Sequence, residues 1–296
     1  MIEIYPAIKN HFKPAIPIYR STDGKLELDR HRFGDVVDIG PVTMENPDSE
    51  FLDLSEKWGG NICHWLVDVI PPALFGLRWQ ADLCRKTVLL NQDAINFPHV
   101  RSYLKMLGFS KWEAKGAQGN PTVIVNPLCH LCLVHPNTVR DLRRRFIDVA
   151  VSLYPMSPNT NLLIQRACQG CGSLESRNFE NREEIINRFH AKKLPLTMVY
   201  LEGLPVWQQI AMFAQAKTII GAHGAGLIGI LFCRQDCKFI EVASPHFWNS
   251  PYAEIASQLR LKFSVLIGNM VNQDSNHPFY RYGLNVSYEH LLELLN

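Results

Sequence analysis

The second half of the chain repeats one pattern, a short apolar run followed by an amphipathic run of helical length. Residues 162–165 precede 182–189, residues 197–201 precede 206–216, and residues 238–242 precede 251–259. Between them, 218–222 reads as a strand followed by a short helix over 227–235, and 288–295 reads as a closing amphipathic helix. Strands that alternate with helices imply a parallel sheet wound by βαβ units, so the fold class is α/β.

The first half is less regular. Its first fifty residues are rich in proline and turn residues, with short strand-like runs such as 36–39. Trp58-Gly59-Gly60 leads into a helix over 61–70 that is read as ending at Pro71-Pro72. Residues 87–90 and 122–125 read as strands, and 139–153 as a helix with Leu142, Phe146, Val149, Ala150 and Leu153 at helical spacing. Residues 154–161 carry two prolines among polar residues and form the best linker. The division is therefore 1–155 and 156–296.

Charge narrows the partners. Lys plus Arg is 30 against 28 Asp plus Glu, a net charge of +2, which excludes a strongly basic nucleic-acid binder. With 47% hydrophobic and 20% charged residues the chain is globular. No apolar run approaches the ~18 residues of a membrane span. No export signal is visible, so a cytoplasmic protein with reduced thiols is expected.

The strongest motif is Gly221-Ala222-His223-Gly224-Ala225-Gly226-Leu227, which follows a strand and opens a helix. Glycines let the backbone approach a ligand, and a helix N-terminus offers unpaired N–H groups to an anion, most plausibly a phosphate or diphosphate. His223 adds a hydrogen bond or a positive charge. The segment Gly224 to Gly229 is also a formal G-x-G-x-x-G, and Glu241 ends the next strand, where a dinucleotide fold keeps its ribose-binding acid. Against an NAD-type oxidoreductase stand the short following helix and the late position of the loop, so a nucleotide is favoured over a dinucleotide.

Asn61, His64, Trp65 and Asp68 fall on one helix face, opposite Ile62, Leu66, Val69 and Ile70. This suggests a polar, aromatic face along a cleft. His64 and Asp68 are four apart and can pair, as an oriented general base requires. Arg166 ends a strand at the edge where open α/β sheets bind ligands, and with Arg177 it suits a phosphate clamp. Asn181 and Glu184 resemble an N-cap with a capping-box variant. Cys129-x-x-Cys132 and Cys168-x-x-Cys171 are 35 residues apart, beyond the ~15–20 of a paired zinc arrangement. No metal site is assigned.

These residues, in order, resemble glycosyltransferase family 61. Four blocks carry the resemblance: Asn61 to Pro71; Arg166 with Arg177 and Asn181-Arg182-Glu183-Glu184; Leu201-Glu202 with Gln209-Ile210 and Ala216; and His223-Gly224-Ala225-Gly226-Leu227 with Glu241. They span roughly 58 to 255, and the last block is the most specific. The resemblance implies two Rossmann-like domains facing a cleft, the GT-B type. It implies an inverting, metal-independent transfer from a nucleotide-sugar, usually UDP-linked, to a hydroxyl of a glycan or lipid-linked acceptor, with no cofactor beyond the donor. The lack of a prominent Asp-x-Asp agrees. The chain is most similar to bacterial members of capsule or surface-polysaccharide type, which is compatible with peripheral membrane association. Its departures are the missing anchor or signal of secretory relatives and a short N-terminal half.

On this resemblance the loop at 223–227, with Arg166 and Arg177, binds the diphosphate, and Glu241 bonds the ribose. The strand end at 200–203, with Glu202, lies near the base. On the acceptor side Asn61 and Trp65 meet the sugar, Trp65 by stacking, and either His64 or Asp68 is the base. A non-catalytic nucleotide-sugar binder of the same fold is the alternative.

Overall fold

The computed structural model describes residues 3–4, 19–22, 25–28, 43–56, 59–125, 136–157, 160–166, 177–244, 252–271 and 283–295. The chain divides into two compact units, Pro17–Arg144 and a second made of Met1–Ile16 with Arg145–Asn296. Strand β1 (Glu3–Ile4) belongs to the second unit.

In the first unit β2 (Tyr19–Thr22) and β3 (Lys25–Leu28) form an antiparallel hairpin. A separate five-stranded sheet follows, built from β4 (Thr43–Glu45), β5 (Phe51–Asp53), β6 (Thr87–Leu90), β7 (Trp112–Ala114) and β8 (Thr122–Val125). Its order is β4-β8-β5-β6-β7, parallel except for β4. The chain steps outward from β5 through β6 to β7, then returns to the other side of β5 with β8. The β5/β8 boundary is therefore the switch point, where crevices open at the carboxyl ends of parallel strands.

The helix after β5 is composite. It starts as α1 (Ile62–His64), widens into a π-turn at Trp65–Val69, and continues as α2 (Ile70–Trp79). The expected stop at Pro71-Pro72 does not occur. The Ile70 N–H bonds to the Trp65 carbonyl, an i→i+5 step, and the prolines then fall in the first turn of α2. A first-turn N–H has no intrahelical partner, so its absence costs little there. Helix α3 (Pro98–Met106) starts in the same way on a proline and was not anticipated.

In the second unit α4 (Pro136–Leu153) precedes β9 (Thr160–Gln165), α5 (Arg182–Ala191), β10 (Leu196–Tyr200), α6 (Val206–Gln215) and β11 (Ala216–Ala222). The division between units falls inside α4. After β11 the segment read as a short helix is a 3₁₀ helix, Ala225–Phe232. Then come β12 (Lys238–Ala243), α7 (Tyr252–Leu259), the unanticipated β13 (Lys262–Ile267), the antiparallel pair β14 (Asn269–Val271) and β15 (Gly283–Asn285), and α8 (Tyr288–Leu295).

The main sheet has the order β1-β13-β12-β11-β9-β10 and is parallel throughout. From β9 the chain moves one way to β10, then crosses back to β11 and onward to β13. The switch point lies between β9 and β11, as in doubly wound Rossmann-like sheets. Alternating strand residues feed two cores. Leu163, Ile220, Ile240 and Leu266 pack with Ile185, Phe189 and Leu291 of α5 and α8. On β12 and β13 Phe239 stacks on Phe263 at 5.2 Å and meets Tyr252 of α7 edge-on.

Candidate active site

In the first unit the chain leaves β5 and turns at Gly59-Gly60. A Cβ on Gly60 would lie 2.6 Å from Cε2 of Phe97, so a side chain there would displace that largely exposed ring. Asn61, expected to touch substrate, serves as the N-cap: its Oδ1 accepts from the Cys63 N–H at 2.9 Å. One turn on, His64 Nδ1 lies 2.7 Å from Asp68 Oδ2. The histidine side chain is 24% exposed and the aspartate 8%. With its N–H on Nδ1 donated to the carboxylate, the ring presents Nε2 as its basic atom. The second Asp68 oxygen is buried and has no hydrogen-bond partner among the described residues.

Trp65 corrects the sequence reading. It is fully buried, so it offers no ring face for stacking, and its Nε1 finds no acceptor among the described residues. The next residue of a helix lies about 100° further round the axis, and that step puts the Trp65 ring in the core while His64 stays half-buried. His99 is half-buried, and its partial burial pushes it down to about 4, while a hydrogen bond to the Gly60 backbone works the other way.

In the second unit the switch point gathers the other residues. Arg166 directly follows β9, its backbone N–H and carbonyl both held by the Asn178 side chain at 2.8 and 3.1 Å. Its guanidinium lies against Gly224, where an added Cβ would come 2.8 Å from Nη2. Arg177 has a left-handed φ of 68°, unusual outside glycine, and donates from Nη1 to the His223 carbonyl at 3.0 Å. The His223 N–H donates to Val242 at 2.8 Å. Its Nδ1 is 2.6 Å from Oε1 of Glu241. Buried Tyr252 donates to the Gly224 carbonyl at 2.6 Å.

Several expected roles change. Glu241 is 0% exposed and bonded to His223, so it does not reach a ribose. Leu227 is a core anchor: it fills the space a side chain at Gly221 would need, at 2.6 Å. Ala225 and Gly226 open the 3₁₀ helix, with Gly226 close to Leu201. Glu202 is exposed in the turn after β10, which Gln209 braces through the Leu201 and Leu204 carbonyls. Asn181 makes no capping bond to α5 but exchanges two hydrogen bonds with the Val286 backbone, tying α5 to the chain before α8. Cys129, Cys132, Cys168, Cys171 and residues 36–39 lie outside the described residues; among the described residues Cys63, Cys84, Cys233 and Cys237 form no disulfide.

Sequence reasoning missed Gln165, Asn178 and Tyr252. Gln165 carried a signal, a polar residue closing the apolar run of β9. It is buried and accepts from the Phe179 N–H at 3.1 Å, and its Nε2 donor, next in sequence to Arg166, has no partner among the described residues.

A family model described as Glycosyltransferase 61 matches residues 62–240. The chain belongs to glycosyltransferase family 61. No curated protein matches it. As a member of this family the chain is a glycosyltransferase, with a donor and an acceptor as substrates. The matched span of this transferase includes His64, Arg166, Arg177 and the His223 loop, and stops one residue before Glu241. Among the described residues no helix of the transferase is long and apolar enough to cross a membrane. The G-x-G-x-x-G match is not a dinucleotide fingerprint here. Its last glycine, Gly229, lies inside the 3₁₀ helix under the ring of Phe213, and its acid is committed to His223.

Proposed function

We propose that this transferase moves a sugar from a UDP-linked donor to a hydroxyl of a glycan or lipid-linked acceptor, with inversion and without an obligatory metal. The observation that carries the reading is the Arg166 guanidinium lying against Gly224 at the β9/β11 switch point. That crevice is where open α/β sheets bind nucleotides. A guanidinium, a second arginine bound to the same loop and the N–H groups opening a 3₁₀ helix together suit a diphosphate.

On this reading the two units divide the work in the arrangement called GT-B. The unit Arg145–Asn296 holds the donor, and Pro17–Arg144 supplies the base. His64 Nε2 takes the acceptor hydroxyl proton as that oxygen bonds to the anomeric carbon. The bond from that carbon to the phosphate oxygen breaks, and the nucleoside diphosphate leaves with its electron pair. A single displacement of this kind inverts the anomeric centre. Asp68 positions the ring and does not take the proton itself. Arg166 and Arg177 stabilise the charge on the departing diphosphate by preorganised electrostatics.

Thermal shift against UDP, GDP, CMP and NAD(H), with and without EDTA, tests the reading. A ligand at about a hundredfold excess over its Kd adds ~2.7 kcal/mol of stability. Stabilisation by UDP that EDTA does not change is expected. Stabilisation by NAD(H) alone, or a UDP response that EDTA abolishes, overturns it.

A further inference from the structure

The carboxylate of Glu241 has no route to a ligand except through a neighbour. It is 0% exposed in β12, and its Oε1 meets His223 Nδ1 at 2.6 Å. His223 itself is over-determined. Its N–H is held by Val242, its carbonyl by Arg177, and the next carbonyl by Tyr252. Such fixing of both backbone and ring is typical of a side chain that must present one atom in one direction. Among the described residues, the charged and titratable groups seen around it include Glu241 of β12, Arg177, Arg166 against the adjacent glycine, and Tyr252 of α7, whose ring centroid is 6.0 Å from that of His223.

We infer that Glu241 is a positioning residue for the donor diphosphate: by holding His223 Nδ1 it turns Nε2 into the diphosphate-binding atom, and it does not bind the donor itself. The inference rests on the donor-site reading above and replaces the ribose role that spacing alone suggested. No bond is made or broken by Glu241. It fixes which ring nitrogen faces the ligand, and the His223 ring carries the contact.

Uridine and UDP separate the possibilities, because they share the ribose and base and differ by the diphosphate. Calorimetry is run with both on the full chain, on Glu241→Gln, on His223→Ala and on the double variant. The expected result is a UDP affinity lowered on the order of 10-fold in each single variant, with no further loss in the double, while uridine affinity stays within twofold throughout. Uridine weakening in step with UDP, or losses that add in the double variant, overturns the inference. Should Glu241→Gln not fold, Glu241→Asp withdraws the carboxylate by one methylene and is read in the same way. A wild-type chain that binds no nucleoside diphosphate removes the donor-site reading, and this inference falls with it.

Discussion

His64 Nδ1 and Asp68 Oδ2 meet at 2.7 Å across a segment that is π-helical, not α-helical. That segment runs straight on into two prolines, and the histidine is the more exposed member of the pair. If His64 is the base, His64→Ala lowers kcat by about 10²- to 10⁴-fold while UDP affinity stays within twofold. Transfer at the wild-type rate removes His64 from the mechanism.

Asp68→Asn keeps the volume but replaces the acceptor for Nδ1–H with an amide that can donate instead. A smaller loss in kcat than that of His64→Ala is expected, and the double variant should be no worse than His64→Ala alone, as for residues acting as one unit. Steady-state kinetics of the three variants decide it; equal and additive losses would make Asp68 a base in its own right.

Gly224→Ala places a Cβ 2.8 Å from the Arg166 guanidinium, the far end of a flexible side chain. The arginine yields instead of the backbone. Melting temperature should change little, and UDP affinity, measured by calorimetry, should fall about 10-fold, the worth of a hydrogen bond to a charged group. Unchanged UDP affinity would separate Arg166 from the diphosphate.

Gly229→Ala meets the opposite situation, a rigid ring with Phe213 Cε2 at 2.2 Å inside the packing between α6 and the 3₁₀ helix. Overpacking of this kind costs ~1–3 kcal/mol. Denaturant titration should show that loss in the folded protein, and a neutral result would mean that the 3₁₀ helix slides freely on α6.

His99 makes stability fall on acidification. Unfolded, its imidazole takes a proton as pH drops through its ordinary 6.5; folded, burial delays protonation to about 4. Stability is therefore complete above 6.5 and is lost progressively between 6.5 and about 4, by up to ~3 kcal/mol. His99→Asn, which can still donate to the Gly60 backbone, should flatten that acid limb when denaturant midpoints are compared at about pH 7 and 4.5. An unchanged limb would assign the acid loss to other groups.

What the sequence disclosed depended on distance along the chain. Strands 87–90 and 122–125 and the helix 288–295 appear at the residues expected, because short apolar runs and helical periodicity are local signals. The His64–Asp68 pair was legible for the same reason, being four residues apart. Spacing alone points Glu241 to a ribose, since only the register of β11 beside β12, Gly221 opposite Glu241, brings it to His223. β13 escaped notice because Lys262 and Ser264 interrupt its apolar residues, and α3 because its opening Pro98 reads as a breaker. Trp65 stands at the edge of the polar helix face, where helical spacing alone does not decide between core and surface, and packing puts it in the core.

The pairing of β1 with β13, Glu3 beside Ser264, has a consequence in time. On the ribosome those first residues emerge long before their partner exists. At about 5–20 residues per second the delay is roughly 13 to 52 s. The unit Pro17–Arg144 is made whole within that interval and can fold first. The strand Glu3–Ile4 can dock only once β13 has been made, so that edge of the main sheet closes after the unit Pro17–Arg144 has had time to fold.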